Sequence, residues 1–125
     1  MSASSVTNLF VDEALRADEH PGIMFRPGPT GRRAGLVAGP DVWEVIDTLH
    51  SVRDAEPGLA DDALVQATAE ALGLPAGKVR VAVRYYAAYR AEVDERIAAN
   101  REAATEAEAA WQAEHELLRG GGRGS

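Results

Sequence analysis

Val65-Gln66-Ala67-Thr68-Ala69-Glu70-Ala71-Leu72-Gly73-Leu74-Pro75-Ala76-Gly77-Lys78-Val79-Arg80-Val81-Ala82-Val83-Arg84 is the stretch on which the fold turns. Its pattern is that of two helices joined by a tight turn. The first helix spans 61–72, with Asp61 or Asp62 near its start and Leu64, Thr68, Ala71 and Leu72 on one face. Gly73 ends it, as a residue that enters the left-handed region without steric penalty. Leu74-Pro75 opens the next helix, where proline is welcome in a first turn. Ala69 and Gly73 stand four apart, so a small side chain lies where the two helices come closest. Leu72, Leu74, Val79 and Ala82 supply the apolar lock. The second helix then presents Lys78, Arg80 and Arg84, as a recognition helix does when it enters a major groove. Arginine reaches phosphates or the O6/N7 edge of guanine. The competing reading is a structural helix pair with surface arginines.

Upstream, Val42, Val45, Ile46 and Leu49 fall at i, i+3, i+4 and i+7, a buried stripe on a helix over 41–53. Asp41 and Glu44 stand as N-cap and N3 of that helix, an acidic variant of the capping box. Trp43 lies off the stripe and needs another surface to cover it. Before the helix, Ile23-Met24-Phe25-Arg26 is β-prone, Pro27-Gly28-Pro29-Thr30-Gly31 is turn-rich, and Arg32 to Ala38 returns as a second strand. Gly39-Pro40 closes this hairpin. Its arginines, Arg26, Arg32 and Arg33, make it a basic wing that reaches phosphate or the minor groove. An ordinary hairpin with exposed arginines is the alternative. Val6, Leu9 and Phe10, with Leu15 beyond, allow a short helix in 4–17 or a strand.

Downstream, nothing stops the helix between Gly77 and Leu118, where neither proline nor glycine recurs. At about 1.5 Å per residue such a helix extends roughly 60 Å. No globule of 125 residues covers that length, so the far half projects, packs on a partner or breaks. Val93, Ile97, Ala104, Trp111 and Leu118 keep one apolar face. The chain therefore divides into a hairpin and helix-turn-helix module at 1–90, an acidic amphipathic helix at 91–118, and a polar tail at 119–125. Tyr85, Tyr86 and Tyr89 give the helix an aromatic face that suits core packing or a dimer contact.

The formal net charge is −7, which argues against nucleic acid until it is divided by segment. Residues 20–40 carry +3 and residues 75–90 carry +4, both without an acid, whereas 41–74 carry −7 and 91–118 carry −6. Such segregation matters more for partners than the sum does. Of the apolar residues, 24 are alanine, so the core is modest and help from a partner is expected. There is no cysteine, which fits a reducing compartment and removes thiolate chemistry. Met1–Phe10 lacks the basic start and apolar stretch of a signal peptide, and no apolar run is long enough for a membrane span. A cytoplasmic location is expected. His20, His50 and His115 lack metal-ligand spacing and no P-loop occurs, so no metal, cofactor or catalytic role is expected.

Two segments carry a family resemblance. Arg26-Pro27-Gly28-Pro29-Thr30-Gly31-Arg32-Arg33-Ala34-Gly35-Leu36, followed by Gly39-Pro40-Asp41-Val42-Trp43-Glu44-Val45-Ile46, resembles the hairpin and first helix of domain-of-unknown-function family 433. These are VapB-like antitoxins. Leu74-Pro75 through Val79-Arg80, with Tyr85-Tyr86-Ala87-Ala88-Tyr89-Arg90-Ala91-Glu92-Val93-Asp94, is similar to that family's recognition helix and tyrosine-rich exit. The likeness covers roughly residues 20–100. The hairpin departs from the family at Gly31-Arg32-Arg33, where Gly-Thr-Arg is frequent.

The resemblance implies a type II antitoxin. Such a protein is a dimeric DNA-binding module that represses its own operon, and its C-terminal segment blocks a PIN-like ribonuclease toxin. On that reading, operator DNA meets Arg26, Arg32, Arg33, Lys78, Arg80 and Arg84. The toxin meets Ile97, Arg101, Ala104, Trp111 and Leu118, with Arg101 pairing with metal-binding carboxylates and Trp111 as the main anchor. The assembly is a homodimer or a toxin–antitoxin hetero-oligomer. The fold expected is mainly α, a small winged helix-turn-helix-like module followed by a long C-terminal helix. The alternative function is a self-associating helical scaffold or coiled coil without DNA binding. The stripe Ala104, Trp111, Leu118 lacks a full set of partner positions for that.

Overall fold

The computed structural model describes residues 12–28 and 31–122. The protein is mainly helical, with one two-stranded antiparallel hairpin near the N-terminus and a long C-terminal helix. Residues 12–19 are helical (α1). The hairpin follows as β1 (Ile23–Arg26) and β2 (Arg33–Leu36), and then come α2 (Val42–Ala55), α3 (Asp61–Leu72), α4 (Ala76–Ala88) and α5 (Arg90–Gly122). Val6, Leu9 and Phe10 lie outside the described residues. Leu15, read with them, is exposed.

The hairpin pairs Ile23 with Leu36, Met24 with Gly35, Phe25 with Ala34 and Arg26 with Arg33. Ile23, Ala34 and Leu36 are buried, so one face of the ribbon seals the core. The return strand is shorter than the sequence suggests. It stops at Leu36, because Ala38 takes a positive φ of 53° and turns the chain toward α2. A left-handed alanine is uncommon, and side chains hold the turn. The Arg26 guanidinium donates to the carbonyls of Leu36 and Gly39, the latter at 2.8 Å. Lys78 Nζ donates to the carbonyl of Val37 at 3.1 Å.

In α2 the apolar stripe behaves as its spacing dictates: Val42, Val45, Ile46 and Leu49 are buried. Asp41 is the N-cap, and its backbone N–H donates to Glu44 Oε1 at 3.4 Å while its side chain accepts from the Glu44 N–H, so the expected capping box forms.

The α3 stop is a Schellman turn. Gly73 sits at φ 67°, its N–H donates to the Glu70 carbonyl, and the N–H of Leu74 donates to the Ala69 carbonyl at 2.9 Å. Pro75 is the N-cap of α4, one position before the first turn. The buried face of α3 is rotated from the one the sequence suggests. Val65, Thr68 and Ala69 point inward and Ala71 is exposed, because α3 packs on α2 and α4 together. Thr68 satisfies its hydroxyl on the Leu64 carbonyl at 2.8 Å. Ala69, fully enclosed between these helices, leaves no room for a larger side chain. Ala69→Leu is expected to cost about 1–3 kcal/mol by overpacking, read as a lower urea midpoint at unchanged slope.

The helix expected to run without interruption from Gly77 to Leu118 breaks at Tyr89, whose φ of −129° and ψ of 47° lie outside the helical region. The break brings the first turns of α5 onto α2. Val93 and Ile97 thereby join the same core as Val42, Val45, Ile46, Val79, Ala82 and Tyr85. Trp43 is half-buried against this core, and it lines a cleft of about 330 Å³ together with Arg96, Ala99, Asn100 and Ala103. Helix continues to Gly122, four residues past the expected end at Leu118.

Candidate nucleic-acid interface and partner-binding helix

The open face of α4 is made by Gly77, Arg80, Arg84, Ala87 and Ala88, all exposed. Val79, Ala82 and Tyr85 point the other way into the core. Arg80 and Arg84 thus share one exposed stripe, flanked by the small residues Gly77, Ala87 and Ala88. Arg80 donates to Asp62 Oδ1 at 2.5 Å, an exposed pair across the turn from α3. Pairs this exposed contribute about 0–1 kcal/mol, so a phosphate competes readily with Asp62. Val65 and Val83 form an apolar indentation beside the two arginines. Lys78 lies at the edge of this face, tied to the Val37 and Ala38 carbonyls.

The hairpin arginines are placed differently. Arg26 and Arg33 both pair with Asp41, which is 4% exposed, and Arg26 does so at 3.2 Å. Arg32 Nε donates to Glu13 Oε2 at 2.6 Å, joining the hairpin to α1. Arg32 and Arg33 line a cleft with Trp43, Glu92, Val93 and Arg96, whereas Arg80 and Arg84 line the indentation with Val65 and Val83. The two basic islands of the sequence are therefore two separate surfaces. The hairpin one is bound up with the chain's own carboxylates.

Beyond Ala103, α5 leaves the body of the protein. Residues 101–114 are exposed throughout, and Trp111 is 55% and Leu118 79% exposed. Leu117 is uncovered as well, a residue the spacing argument does not single out because it lies off the Ala104–Trp111–Leu118 stripe. Trp111 stacks on His115 one turn later, ring centroids 3.8 Å apart. Ile97, read from sequence with these anchors, is instead 6% exposed in the chain's own core. The bend at Tyr89 is the reason. Arg101 lies near that boundary and donates to Asp47 Oδ1 of α2 at 2.7 Å.

Comparison of the chain with protein-family models, with curated proteins and with solved structures finds no match. The arrangement of its own residues therefore carries the functional argument. Among the described residues no group of three histidines or acids could hold a metal. Among the same residues, no helix is long and apolar enough to cross a membrane.

The cluster that sequence reasoning misses centres on Arg16. Its guanidinium donates to Tyr85 Oη at 3.0 Å and Glu92 Oε1 at 2.8 Å, and lies 4.0 Å from the centre of the Tyr89 ring. Tyr85 donates its own proton to Glu92 Oε2 at 2.7 Å. The four groups come from α1, α4, the break and α5, so spacing along the chain carries no trace of them. Burial opposes the Arg16 charge, but the bonds to Glu92 and Tyr85 outweigh it and raise its pKa. Burial, reinforced by Glu92, pushes the Tyr85 phenol well above its ordinary value. Burial and the bond to Asp94 do the same, less strongly, for Tyr86.

A raised phenol pKa means the unfolded chain gives up its proton first as pH rises. The stabilisation is therefore complete below an ordinary phenol pKa of about 10 and is lost above it. Unfolding midpoints measured from pH 8 to 12 should fall above roughly pH 10, and Tyr85→Phe should flatten that fall.

Proposed function

We propose that this protein is an antitoxin-like repressor. The α4 face binds operator DNA, and α5 beyond Ala103 docks on a PIN-like ribonuclease toxin. One observation carries the reading: the far part of α5 is an acidic helix with its large apolar side chains, Trp111, Leu117 and Leu118, uncovered. A helix with spaced apolar anchors and a charged flank suits a groove on a basic partner. In an interface, burying such side chains supplies hydrophobic free energy that the free helix does not gain. The DNA half of the proposal rests on Arg80 and Arg84, which share the one open stripe of α4. The resemblance to the VapB-like antitoxins supports both halves, and the protein is taken to act in the cytoplasm as a homodimer or a toxin–antitoxin complex.

The DNA half predicts salt-dependent binding to the promoter of its own operon, since each neutralised phosphate releases counterions. Arg80→Ala with Arg84→Ala should weaken binding by about tenfold or more and lower the salt slope by about two. Fluorescence anisotropy across a salt series measures both. Unchanged affinity sinks the recognition-face assignment. A chain ending at Ala103 should keep DNA binding and lose toxin neutralisation, scored by growth rescue. Rescue by the shortened chain removes α5 from the toxin interface. The rival reading, a homotypic scaffold, requires the shortened chain to lose self-association while the full chain never binds DNA.

A further inference from the structure

The division between α4 and α5 has no cause in the local sequence. Residues 86–95 contain neither proline nor glycine, and Ala87, Ala88, Arg90, Ala91 and Glu92 are all strong helix formers. Only Tyr89 departs from helix. On both sides the ladder still closes, Tyr89 N–H to the Tyr85 carbonyl at 2.9 Å and Val93 N–H to the Tyr89 carbonyl at 3.2 Å. Sharp helix bends are almost always at proline, glycine or an inserted group. Here the bend is instead held from outside. Arg16 covers the Tyr89 ring and bonds Tyr85 and Glu92, while the His20 ring meets Tyr89 edge-on at 5.8 Å.

We propose that Tyr89 is a hinge at which α5 exchanges between two copies of this chain. In the closed form Val93 and Ile97 pack against the chain's own α2, and Arg101 pairs with its own Asp47. In the exchanged form α4 and α5 run on as one helix, and α5 seats on the α2 of a second copy. Every α2–α5 contact is kept, since the second copy offers the same surface. Only the junction changes, and there the sequence prefers continuous helix. This is the setting in which exchange is a low-cost route to a dimer. A second copy is the fitting occupant because α5 is already complementary to this α2. Val93 and Ile97 pack in one cluster with Val42, Val45 and Ile46, and Asp47 accepts from Arg101. An open monomer would instead expose Val93 and Ile97. The Arg16 clamp sets the balance, and it favours the closed form.

The chain has no cysteine, so thiols can be placed at will. Full-length Asp47→Cys and Arg101→Cys chains are unfolded together, refolded at high concentration and treated with a short bismaleimide. Exchange predicts a 47–101 product of twice the chain mass on a denaturing gel. Adding Arg16→Ala to both chains should raise that product severalfold. Arg90→Pro, with proline at the first residue of α5, should remove it, because proline suits a helix start and breaks a helix interior. Ala88→Gly, milder, should lower it if the proline chain does not fold. A chain carrying both cysteines must link within itself at low concentration, which confirms reagent reach. The proposal is overturned if that chain links internally while the mixture gives no interchain product even with Arg16→Ala. Equal linking by either single variant alone also overturns it, since that marks side-by-side association.

Discussion

Asp41→Ala is expected to destabilise the fold by about 3 kcal/mol or more, the range for breaking a buried ion pair from one side. Three elements depend on this one carboxylate. It is 4% exposed and accepts from Arg26 at 3.2 Å and pairs with Arg33, so it binds both strands of the hairpin. It is also the N-cap of α2, where its side chain accepts from the Glu44 N–H. Removing it leaves two guanidiniums, each about three-quarters shielded, without their anion. Arg26 keeps its bonds to the Leu36 and Gly39 carbonyls, which limits the damage there. Asp41→Asn separates the two roles, since asparagine still caps a helix but carries no charge. The amide should recover roughly 1 kcal/mol of the loss. Urea unfolding of the three proteins measures this. A loss under about 1 kcal/mol for alanine would show that the arginines find water instead.

Tyr85→Ala is expected to cost about 3–5 kcal/mol, the range for truncating a large buried aromatic. Tyr85 is fully buried, and its ring meets Phe25, His20 and Tyr89. Its hydroxyl stands between Arg16 and Glu92. Tyr85→Phe keeps the ring and deletes the hydroxyl, so it should cost only about 1–2 kcal/mol. Arg16 still reaches Glu92 directly at 2.8 Å, and that bond bounds the loss. Thermal unfolding separates the two variants by several degrees. If phenylalanine costs as much as alanine, the polar network rather than the ring carries the stability at this position.

Much of the local structure was legible in the sequence. The α2 stripe, the Gly73 stop and the hairpin each follow from a rule that acts within a few residues. A 3.6-residue period buries Val42, Val45, Ile46 and Leu49, and a glycine at positive φ closes α3. The candidate site was legible only in part. Arg80 and Arg84 lie four apart, so they share a helix face whatever surrounds them. Lys78 is two residues from Arg80, and the fold ties it to the Val37 and Ala38 carbonyls instead. Charge counting put Arg26 and Arg33 with the free cations, because a count does not see that Asp41, 15 and 8 residues away, folds against them. Arg16 escaped notice for the same reason, since its partner Glu92 is 76 residues distant.

The sequence alone determined a helical protein with a basic hairpin, a tight helix pair and an acidic amphipathic end. Those properties reside in period, turn chemistry and charge, which act over one or two turns of chain. Only the tertiary structure decided where the last helix stops belonging to the core. Helix propensity favours an unbroken rod from Gly77 onward. The gain from burying Val93 and Ile97 on α2, together with the hold of Arg16 on Tyr85, Tyr89 and Glu92, outweighs one residue's departure from helix. That balance is struck between segments far apart in the chain, and it leaves Trp111, Leu117 and Leu118 of α5 exposed.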